Sequence, residues 1–407
     1  MVCRHCSNKL KVQFLDLGKA PASNAYLDAD SLNLNEKIYP LRVMVCTQCW
    51  LVQTQDFLEA HELFCSDYAY FSSTSSSWLK HAHKYCESII PRLGLSANSL
   101  VVEVACNDGY LLKNFVERGI PCAGIEPTAS TAEAAEKIGI PVIRKFFGEK
   151  LASSMVLSGQ QADLIVGNNV LAHVPDINDF TRGLARLLKP EGVVTLEFPH
   201  LLRLIEDCQF DTVYHEHFSY LSLTAVRKIL QGAKIKIWDV EKLPTHGGSL
   251  RVFAALDSSQ RDISPRVEQV IAEEKKKGLL IEKTYRAFQA RAEKIRDKLL
   301  SFLQECKRTG KKVVAYGAAA KGNTLLNYAG VKSDLLPYVC DAAPSKQGKY
   351  LPGSRIPILP PGVLGRDAPD LILILPWNIA GEVVAQNRPL LSAKTRFVTC
   401  VPEMKYW

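Results

Sequence analysis

The fold is decided by the stretch Val101-Val102-Glu103-Val104-Ala105-Cys106-Asn107-Asp108-Gly109-Tyr110-Leu111-Leu112. Its apolar first half predicts a strand, its small and acidic centre predicts a tight turn, and a helical pattern follows from Leu111 to Arg118. A second apolar segment, residues 122–125, ends at Glu126. This order of strand, loop, helix, strand and acid is the plan of a nucleoside-binding βαβ unit, in which the acid accepts hydrogen bonds from ribose hydroxyls.

The loop of this unit distinguishes between two classes of nucleoside ligand. A dinucleotide site has the pattern G-x-G-x-x-G, which lets helix amides hold a pyrophosphate, whereas this loop contains only Gly109. Glu103 and Asp108 flank the loop, and their carboxylates would repel a pyrophosphate. They suit a ligand that has a positive amino group and no phosphate. We therefore predict that the unit binds S-adenosylmethionine (SAM).

The chain beyond this unit continues as an alternating α/β pattern. It predicts helices near 128–138, 148–157 and 177–188, and strands at 141–144, 162–167 and 192–199. Ligands of open α/β sheets lie at the carboxyl ends of the strands, so the polar segment after strand 162–167 should reach the same site, with His173 beside it. The residues predicted to contact SAM are Glu103, Ala105, Asn107, Gly109, Glu126, Asn168 and Asn169.

Two Cys-x-x-Cys pairs lie near the amino terminus, Cys3 with Cys6 and Cys46 with Cys49. Such paired turns supply four thiolates for a tetrahedral zinc ion, and the long interval between the pairs predicts a small subdomain. His5 is not needed as a ligand because four cysteines complete the site. A closed four-thiolate site leaves no open position, so we assign the zinc a structural role.

Composition limits the class of protein. The 407 residues are enough for two or three domains, and 47% hydrophobic with 23% charged residues is typical of a soluble globular chain. The sequence has no long apolar run and no apolar signal core, so we predict a cytoplasmic protein with no membrane partner. The 12 cysteines then favour metal ligands and reduced thiols. The net charge of +8 suits a phosphate-bearing substrate or a nucleic acid.

Residues 211–220 form the densest acid–base cluster of the chain, with Tyr214, His215, Glu216 and His217 in succession. The cluster lacks the HExxH spacing of a zinc protease. If the segment is extended, His215 and His217 share one face, and Tyr214 and Glu216 share the other. A histidine supported by a carboxylate or a phenol is a general base suited to neutral pH. We therefore favour a catalytic role over a pair of structural histidines.

Two loops carry further candidate ligand contacts. Residues 65–75 are rich in aromatic and hydroxyl groups, including Tyr68 and Tyr70, and form either a cover over a ligand or a polar surface connector. Residues 243–253 contain Gly247-Gly248, which permits unusual dihedrals or a close backbone approach. That segment is either a plain hairpin or a loop whose His246 and Arg251 meet a ligand.

The remainder of the chain predicts helices and then a second α/β unit. Charged helical patterns cover residues 264–308 and break at Gly278. Residues 317–324 resemble a Walker loop in which Asn323 replaces the required lysine, so ATP hydrolysis is not predicted. A small-residue loop at a helix N-terminus can still hold a diphosphate, with Lys321 beside it. The strands predicted in this unit are 312–316, 338–340, 371–375 and 396–401.

Together these motifs resemble those of the SAM-dependent deoxysugar C-methyltransferases, and the resemblance covers essentially the whole chain. That family has an N-terminal four-cysteine zinc module, a central SAM domain and a C-terminal Rossmann-like domain. This chain has Ala105 where the family usually has glycine, and the added methyl group is expected to tighten the SAM loop. The matching segments are both CxxC pairs, Asn107-Asp108-Gly109, Asn169-Val170-Leu171-Ala172-His173-Val174-Pro175-Asp176, Tyr214-His215-Glu216-His217, His246-Gly247-Gly248-Ser249 and Tyr316-Gly317-Ala318-Ala319-Ala320-Lys321-Gly322-Asn323.

The resemblance implies methylation at carbon 3 of a nucleotide-linked 4-keto-6-deoxyhexose, carried on dTDP or GDP. A carbon nucleophile requires removal of the proton alpha to the ketone, and the match to the family's motif makes His217 the base. The enolate oxygen then needs preorganised donors, for which His173, Tyr214 and Tyr68 are candidates, with Glu216 orienting the histidines. The expected substrate contacts are Tyr70, His246, Lys321, Asn323 and Lys346.

The expected architecture is α/β, with four successive regions. They are an N-terminal four-cysteine zinc module at 1–66, a central class I (Rossmann-like) SAM methyltransferase domain at 67–260, a helical spacer at 261–309 and a second Rossmann-like domain at 310–407 that binds the nucleotide sugar. We expect a monomer with no nucleic-acid partner.

Two alternative functions stay open at this level. A zinc-ribbon RNA methyltransferase would also combine zinc, SAM and positive charge. RNA binding, however, predicts a clustered basic stripe with aromatic platforms, and the positive charges here are spread out. A non-catalytic protein that binds SAM or a nucleotide sugar would have no need of the cluster at 214–217.

Overall fold

The computed structural model describes residues 1–56 and 71–407, so the predicted contacts Tyr68 and Tyr70 lie outside the described residues. The described chain forms a four-stranded, a seven-stranded and a six-stranded sheet. The strands are β1 (Val12–Ala20), β2 (Tyr39–Val45), β3 (Val52–Thr54), β4 (Val101–Val104), β5 (Cys122–Ile125), β6 (Val142–Ile143), β7 (Ala162–Asn168), β8 (Leu188–Pro199), β9 (Ser219–Tyr220), β10 (Ile235–Leu243), β11 (Ser249–Leu256), β12 (Val313–Tyr316), β13 (Val339–Cys340), β14 (Ile358–Leu359), β15 (Leu371–Ile374), β16 (Arg396–Thr399) and β17 (Lys405–Tyr406).

The helices cover the sheets and connect them, and short 3-10 turns lie beside the site at Leu171–His173, Phe210–Thr212 and Thr245–Gly247. Within residues 1–56 and 71–407, no helix is both long enough and apolar enough to cross a bilayer. The α-helices are α1 (Ser76–Leu93), α2 (Lys113–Val116), α3 (Ala129–Lys137), α4 (Glu149–Leu157), α5 (Ile177–Leu187), α6 (Leu201–Glu206), α7 (Leu223–Gly232), α8 (Pro265–Lys276), α9 (Glu282–Arg286), α10 (Phe288–Arg308), α11 (Ala320–Tyr328), α12 (Val363–Asp367) and α13 (Ala380–Asn387).

The seven-stranded sheet has the order β10-β11-β8-β7-β4-β5-β6. Its strand β4, buried along its whole length, pairs in parallel with β5 on one side and with the central strand β7 on the other. The hairpin β10–β11 adds two antiparallel strands at the edge. The chain leaves β4 toward β5 and later returns to β7, so a crevice opens at the carboxyl ends of these strands, where ligands of such sheets bind.

The predicted helix from Leu111 to Arg118 is shorter in the structure. A turn closes first, with the Gly109 amide donating to the Cys106 carbonyl over 3.0 Å. Helix α2 therefore begins only at Lys113. Gly109 adopts φ +77°, and a side chain there would collide with Ile140, so glycine is required by both the dihedral and the space.

The four-stranded sheet joins the amino-terminal region to the cluster at 211–220. Strands β1, β2 and β3 are antiparallel neighbours, and β3 then pairs with β9, matching Val52 with Tyr220 and Gln53 with Ser219. Since β9 begins two residues after His217, this sheet fixes the chain that carries the predicted base.

The six-stranded sheet has the order β14-β13-β12-β15-β16-β17 and is parallel except for its last pair. Its strand β15 is buried along its whole length, as its continuous apolar sequence predicted. The helices before this sheet break at Gly278, as predicted, where φ is +88°. They do more than space two domains: Phe288 of α10 stacks on Phe14 of β1 at 4.4 Å, in a core shared with the six-stranded sheet.

Candidate active site and metal centre

The predicted SAM loop has an unusual backbone. Ala105, Asn107 and Gly109 have φ values of +59°, +51° and +77°, a region that side chains other than glycine rarely adopt. The amide of Ala105 donates to the Ile125 carbonyl over 2.8 Å, which holds the loop against the end of β5. The glycine usual at position 105 suits this left-handed geometry, and this chain adopts it with alanine instead.

Two buried carboxylates line the loop. Glu126 directly follows β5 and accepts from the Asn107 amide over 3.0 Å and from the Thr128 amide over 2.9 Å. These bonds fix the carboxylate where it could accept hydrogen bonds from ribose hydroxyls. Neither oxygen of Glu103, which is only 1% exposed, has a hydrogen-bond partner within 3.5 Å among the described residues, although the Tyr110 phenol is near enough to lower its pKa slightly. Burial raises the pKa of Glu103 well above its usual value, and Asp108 and Glu126 add to the effect.

The amide side chain of Asn168, at the end of β7, is also buried and without a close partner among the described residues. Buried polar groups are normally satisfied, so partnerless groups on two adjacent strands suit a polar ligand at the crevice. An amino group would neutralise Glu103, and ribose hydroxyls would meet Glu126. The residues present therefore fit SAM, and a SAM-binding loop is the interpretation that explains these groups.

The last part of the predicted cover loop contacts this site directly. The amides of Ser72 and Ser73 donate to the side chains of Asn107 and Asp108, each over 2.9 Å. Of the two interpretations given for this segment, the contacts of residues 71–75 favour a cover over the ligand loop. Residues 57–70 are outside the described part of the chain.

The cluster at 214–217 is a turn and not an extended segment, because the His217 amide donates to the Tyr214 carbonyl over 3.0 Å. The prediction that His215 and His217 share a face is therefore wrong. The ring of His215 lies against the Pro40 carbonyl, with its Nε2 at 3.3 Å. The ring of His217 lies instead 4.7 Å from that of His173 and 4.0 Å from that of Tyr214, measured between centroids.

His217 has a defined tautomer. Its Nδ1 is 2.9 Å from the Thr212 carbonyl, which can only accept, so Nδ1 carries the proton and Nε2 has the free lone pair. The ring is half-buried, and a small pocket lined by His217, Thr212, Ser219 and Tyr220 lies beside it. Burial lowers the pKa of His217 well below its usual value, and His173, His246 and Lys321 lower it further. The ring is therefore neutral at pH 7 and suited to accept a proton.

His173 is bound in the same way, with its Nδ1 2.9 Å from the main-chain oxygen of Glu216. Burial lowers the pKa of His173 to about 4, so its only N–H at neutral pH is the one directed at Glu216. In this tautomer Nε2 of His173 can only accept, so the geometry favours other residues as donors to an enolate oxygen. Glu216 orients His173 through this main-chain oxygen, while its carboxylate accepts from Asn24 over 2.7 Å.

His246 is presented by the turn between β10 and β11, where it has φ +53°. Its Nε2 is 3.2 Å from the amide nitrogen of Asn169 and its ring is 5.2 Å from that of Trp78. With Nε2 accepting from Asn169, Nδ1–H is left as a donor, and burial lowers the pKa of His246 to about 4. The segment is both a hairpin and a loop at the site.

Arg251 does not share this role. Its guanidinium is buried and pairs with Glu197 at 2.8 Å, and Glu197 also accepts from Thr245 at 3.0 Å. Arg251 therefore holds the hairpin in place, and of the two alternatives left open for this residue the plain hairpin fits its contacts.

The C-terminal region contributes Lys321 from the first turn of α11. Its Nζ donates to Asn378 over 2.6 Å and lies 4.9 Å from the Trp377 ring centroid. Trp377 in turn donates to the buried Asp211 over 2.7 Å. Gly247 approaches the Trp377 ring so closely that any side chain there would collide with it. Lys321 is close enough to His217 and His246 to lower the pKa of both rings.

The other two residues predicted to bind the diphosphate are engaged within the protein. Asn323 is fully buried and donates to the Ser23 carbonyl over 2.6 Å, so it joins α11 to the amino-terminal region and does not line the cavity. Lys346 donates to the Ala318 carbonyl over 2.9 Å and lies 3.8 Å from Asp341. Burial is a tertiary property, which the motif alone could not reveal.

Several residues at the site were not predicted. Asn24 contacts Glu216, Tyr26 donates to Ala318 over 2.5 Å, and Trp78 flanks His246. They come from segments far apart in sequence and carry no motif. For Trp78 and Trp377 a signal did exist, since tryptophans are rare in this chain and both precede or follow predicted site segments.

The four predicted metal ligands come together. Cys3 and Cys49 have their sulfurs 3.5 Å apart, as do Cys6 and Cys46, and all four sulfurs lie within 4.8 Å of one another. A tetrahedral zinc ion with Zn–S bonds of about 2.3 Å separates its sulfurs by about 3.8 Å. The donor set and the spacing therefore fit zinc.

Both cysteine turns have the same backbone geometry. The residue after each pair is left-handed, Ser7 at φ +60° and Trp50 at φ +66°. Each donates its amide to the carbonyl of the first cysteine over 2.9 Å. Since four thiolates leave no position for substrate, the zinc supplies folding energy and not chemistry.

Comparison with known proteins agrees with this arrangement. Residues 3–64 match the model of a zinc binding domain, residues 78–240 that of a methyltransferase domain, and residues 244–402 that of a C-methyltransferase C-terminal domain. The last boundary falls inside the β10–β11 hairpin, so the family regions and the sheets do not coincide there.

Among curated proteins, the chain is 34% identical to the C-methyltransferase NovU of Streptomyces niveus, over 98% of this chain and 95% of that protein. It is 27% identical to a ubiquinone biosynthesis O-methyltransferase of Escherichia coli over 35% of this chain and 65% of that protein. Among solved structures, a SAM-dependent methyltransferase of Clostridium acetobutylicum aligns over 44% of this chain and 92% of its own, with 11% identity and a TM-score of 0.36.

The match to NovU extends over the zinc region, the methyltransferase region and the C-terminal region alike. It favours an enzyme over the non-catalytic alternative. The four-cysteine cluster and the SAM loop supply the metal and cofactor sites that such an enzyme needs. The chain therefore belongs to the C-methyltransferase family that includes NovU, and it is a SAM-dependent C-methyltransferase with a zinc-binding region.

Proposed function

We propose that the enzyme transfers the methyl group of SAM to carbon 3 of a nucleotide-linked 4-keto-6-deoxyhexose, with His217 as the base. The observation that carries the proposal is the hydrogen bond from His217 Nδ1 to the Thr212 carbonyl at 2.9 Å. It leaves Nε2 unprotonated on a ring that lies beside Tyr214 and His173. Methylation of carbon requires removal of a proton from that carbon, and the adjacent ketone acidifies this proton, so a neutral imidazole can serve as the base.

In the proposed reaction, Nε2 of His217 takes the proton from carbon 3 of the sugar. The electrons of that C–H bond form a double bond between carbons 3 and 4, and the π electrons of the carbonyl move onto the 4-oxygen, forming an enolate. When bound, SAM would supply an electrophilic methyl group on a positive sulfur. Carbon 3 forms a bond to that methyl carbon as the sulfur–methyl bond breaks and leaves its electron pair on sulfur, and His217 keeps the proton until the product leaves. A positioned base of this kind contributes about 10²–10⁴ in rate.

The enolate oxygen requires donors, and the geometry favours Tyr214 and His246. The ring of Tyr214 lies tilted against that of His217, with the centroids 4.0 Å apart, and His246 retains an available Nδ1–H when its Nε2 accepts from Asn169. Tyr68, outside the described residues, stays a third candidate. Each well-placed donor is worth about 10²–10³ in rate.

Lys321 is the contact that we retain for the nucleotide diphosphate. Its positive charge is close enough to His217 and His246 to lower the pKa of both. A substrate whose sugar reaches His217 would therefore bring its diphosphate within reach of Lys321. Lys346 would take part only by leaving the Ala318 carbonyl, and Asn323 only by leaving its buried position.

Product analysis with two substrate pools tests this function. The protein is incubated with SAM and either dTDP- or GDP-linked 4-keto-6-deoxyhexoses, and the products are analysed by mass spectrometry and by NMR at carbon 3. A gain of one methyl group at carbon 3 in one pool is the expected result. Methylation of an oxygen, or of RNA in place of either sugar pool, would contradict the proposal.

A further inference from the structure

Arg4 lies inside the first metal-binding turn, between Cys3 and Cys6, yet its side chain makes its contacts outside that turn. The guanidinium is only 5% exposed. It donates to the Pro175 carbonyl over 2.8 Å, to the Thr54 carbonyl over 3.3 Å and to the Asp56 carboxylate over 2.7 Å. A single side chain therefore joins the metal-binding turn to two other segments.

The first of these segments carries His173. Pro175 follows His173 by two residues, and Asn178, a little further along, also contacts the metal-binding turn. The Asn178 side chain donates to the main-chain oxygens of Arg4 and His5 over 3.3 and 2.9 Å, and its own oxygen is 2.8 Å from His5 Nδ1. The loop after His173 is therefore held to the turn by both a side chain and the main chain.

The second segment is bound to the loop that carries His217. The Thr54 hydroxyl donates to the His217 carbonyl over 3.2 Å, and the Thr54 amide donates to the Phe218 carbonyl over 3.1 Å. The Arg4 guanidinium also lies 5.4 Å from the centre of the Phe218 ring. Arg4 thus contacts the segment that binds His217 and the ring that follows it.

The two histidine rings are 4.7 Å apart but are carried by different sheets. His173 follows strand β7 of the seven-stranded sheet, and His217 precedes strand β9 of the four-stranded sheet, so the distance between the rings depends on how these two segments are held together. We propose that Arg4 is a positioning residue for this pair: its guanidinium fixes the loop after His173 against the strand that holds His217. The kinetic part of this inference rests on the function proposed above.

The geometry requires arginine and not only a positive charge. The carbonyls of Pro175 and Thr54 are met by different nitrogens of one planar guanidinium, and lysine has a single ammonium that cannot reproduce that fork. Lysine at position 4 should keep the ion pair with Asp56 but lose the simultaneous contact to both carbonyls. A small displacement of a base can cost up to about 10²-fold in rate.

The test compares Arg4→Lys with wild type and with Arg144→Lys, a matched control on an exposed arginine that pairs with Glu136. In Arg4→Lys we expect kcat to fall roughly 10- to 100-fold, with zinc content, substrate KM and SAM affinity within about twofold of wild type. Thr54→Val removes only the hydroxyl that donates to the His217 carbonyl and should show the same pattern. It replaces Arg4→Lys as the test variant if Arg4→Lys loses zinc.

A second readout does not depend on the sugar substrate. The ring nitrogens of labelled histidine are followed by NMR, with signals assigned from His173→Gln and His217→Gln. Wild type should show the Nδ1–H form for both rings, and Arg4→Lys should show mixed tautomers at these two positions only. Unchanged ring signals in Arg4→Lys and Thr54→Val would overturn the inference even if kcat fell. Inactivity of wild type on both sugar pools would instead count against the proposed function and leave the NMR result decisive here.

Discussion

The proposed role of His217 as a base depends on the atom that its other nitrogen contacts. The Thr212 carbonyl fixes the proton on Nδ1, and burial lowers the pKa of the ring, so Nε2 is unprotonated at neutral pH. The nearby His215 has the same chemistry in isolation but faces the Pro40 carbonyl. Two histidines two residues apart thus have different surroundings because of the turn that separates them.

The pH dependence of activity should reflect this burial. The base works when unprotonated, and the pKa of His217 lies well below 6.5. Its neutral form therefore persists as pH falls through 6.5 and is lost only near the lowered pKa. We expect the acidic limb of kcat/KM for the free enzyme to lie below pH 6.5. An acidic limb at or above pH 6.5, with SAM binding unchanged over the range, would contradict this.

Ala105 should be a site at which glycine stabilises the protein. A φ of +59° destabilises an alanine in the folded protein by roughly 1 kcal/mol. Glycine avoids this strain, but its greater flexibility stabilises the unfolded chain and offsets part of the gain. We predict that Ala105→Gly raises the free energy of unfolding in urea by up to about 1 kcal/mol. The control Ala134→Gly, within α3, should lower it by about 1 kcal/mol. A loss of stability in Ala105→Gly would show that the methyl group is accommodated without strain.

Residues within local motifs could be identified from the sequence, and residues joined through the fold could not. The four cysteines and Glu126 carry their function in their spacing, because a turn or a strand end alone presents them. Arg4 and Asn24 gain theirs from segments more than one hundred residues away, which no local pattern encodes. Asn323 shows the converse: it sits in a recognisable loop, but tertiary packing buries it.

At the level of elements, the first amides of helix α7 are capped by a carboxylate from another helix, α8. Glu274 of α8 is fully buried and accepts from the amides of Leu223 and Thr224 and from His200. These amides at the helix start have no partner within α7, so Glu274 takes the part of a capping residue. Through His200, which directly follows β8, the same carboxylate also joins α8 to the end of a strand of the seven-stranded sheet.

Removal of this carboxylate should therefore destabilise the protein strongly. We predict that Glu274→Ala lowers the free energy of unfolding by about 3–5 kcal/mol, since it leaves buried donors without an acceptor. Glu268→Ala, in the same helix and paired with Arg227 at the surface, should cost no more than about 1 kcal/mol. Equal effects of the two changes in chemical denaturation would refute the capping role.

Strands and helices with strong periodicity were predictable, whereas turns were not. The apolar run at 371–375 and the break at Gly278 both occur as expected. The segment 214–217 had an alternating pattern compatible with a strand, but the hydrogen bond from His217 to Tyr214 turns it. Its geometry depends on Thr212, Pro40 and β3, which come together only in the folded chain.

At the level of the whole molecule, the zinc region is part of the catalytic framework. Its strand β3 pairs with β9 immediately after His217, and Cys3, Cys46 and Cys49 are buried in a core shared with the seven-stranded sheet. Loss of the metal should therefore affect more than the amino terminus. The region therefore supports the chain that carries His217.

Cys46→Ser should lose zinc and stability together. We expect metal analysis to find about one zinc per wild-type chain and little in the variant, with an unfolding transition at clearly lower urea concentration. Cys122→Ser, in β5 and outside the cluster, should retain its zinc. Absence of zinc from purified wild type, or unchanged stability in Cys46→Ser, would contradict the assignment.

The central claim is that His217 removes the proton from carbon 3 of the sugar, and hydrogen exchange tests it most directly. The nucleotide-linked 4-keto-6-deoxyhexose is incubated in deuterated water without SAM, and deuterium at carbon 3 is measured by mass spectrometry and NMR. Wild type and His215→Gln should exchange this hydrogen, whereas His217→Gln should exchange it about 10²–10⁴ times more slowly with unchanged SAM affinity. Exchange by His217→Gln at the wild-type rate would contradict the account.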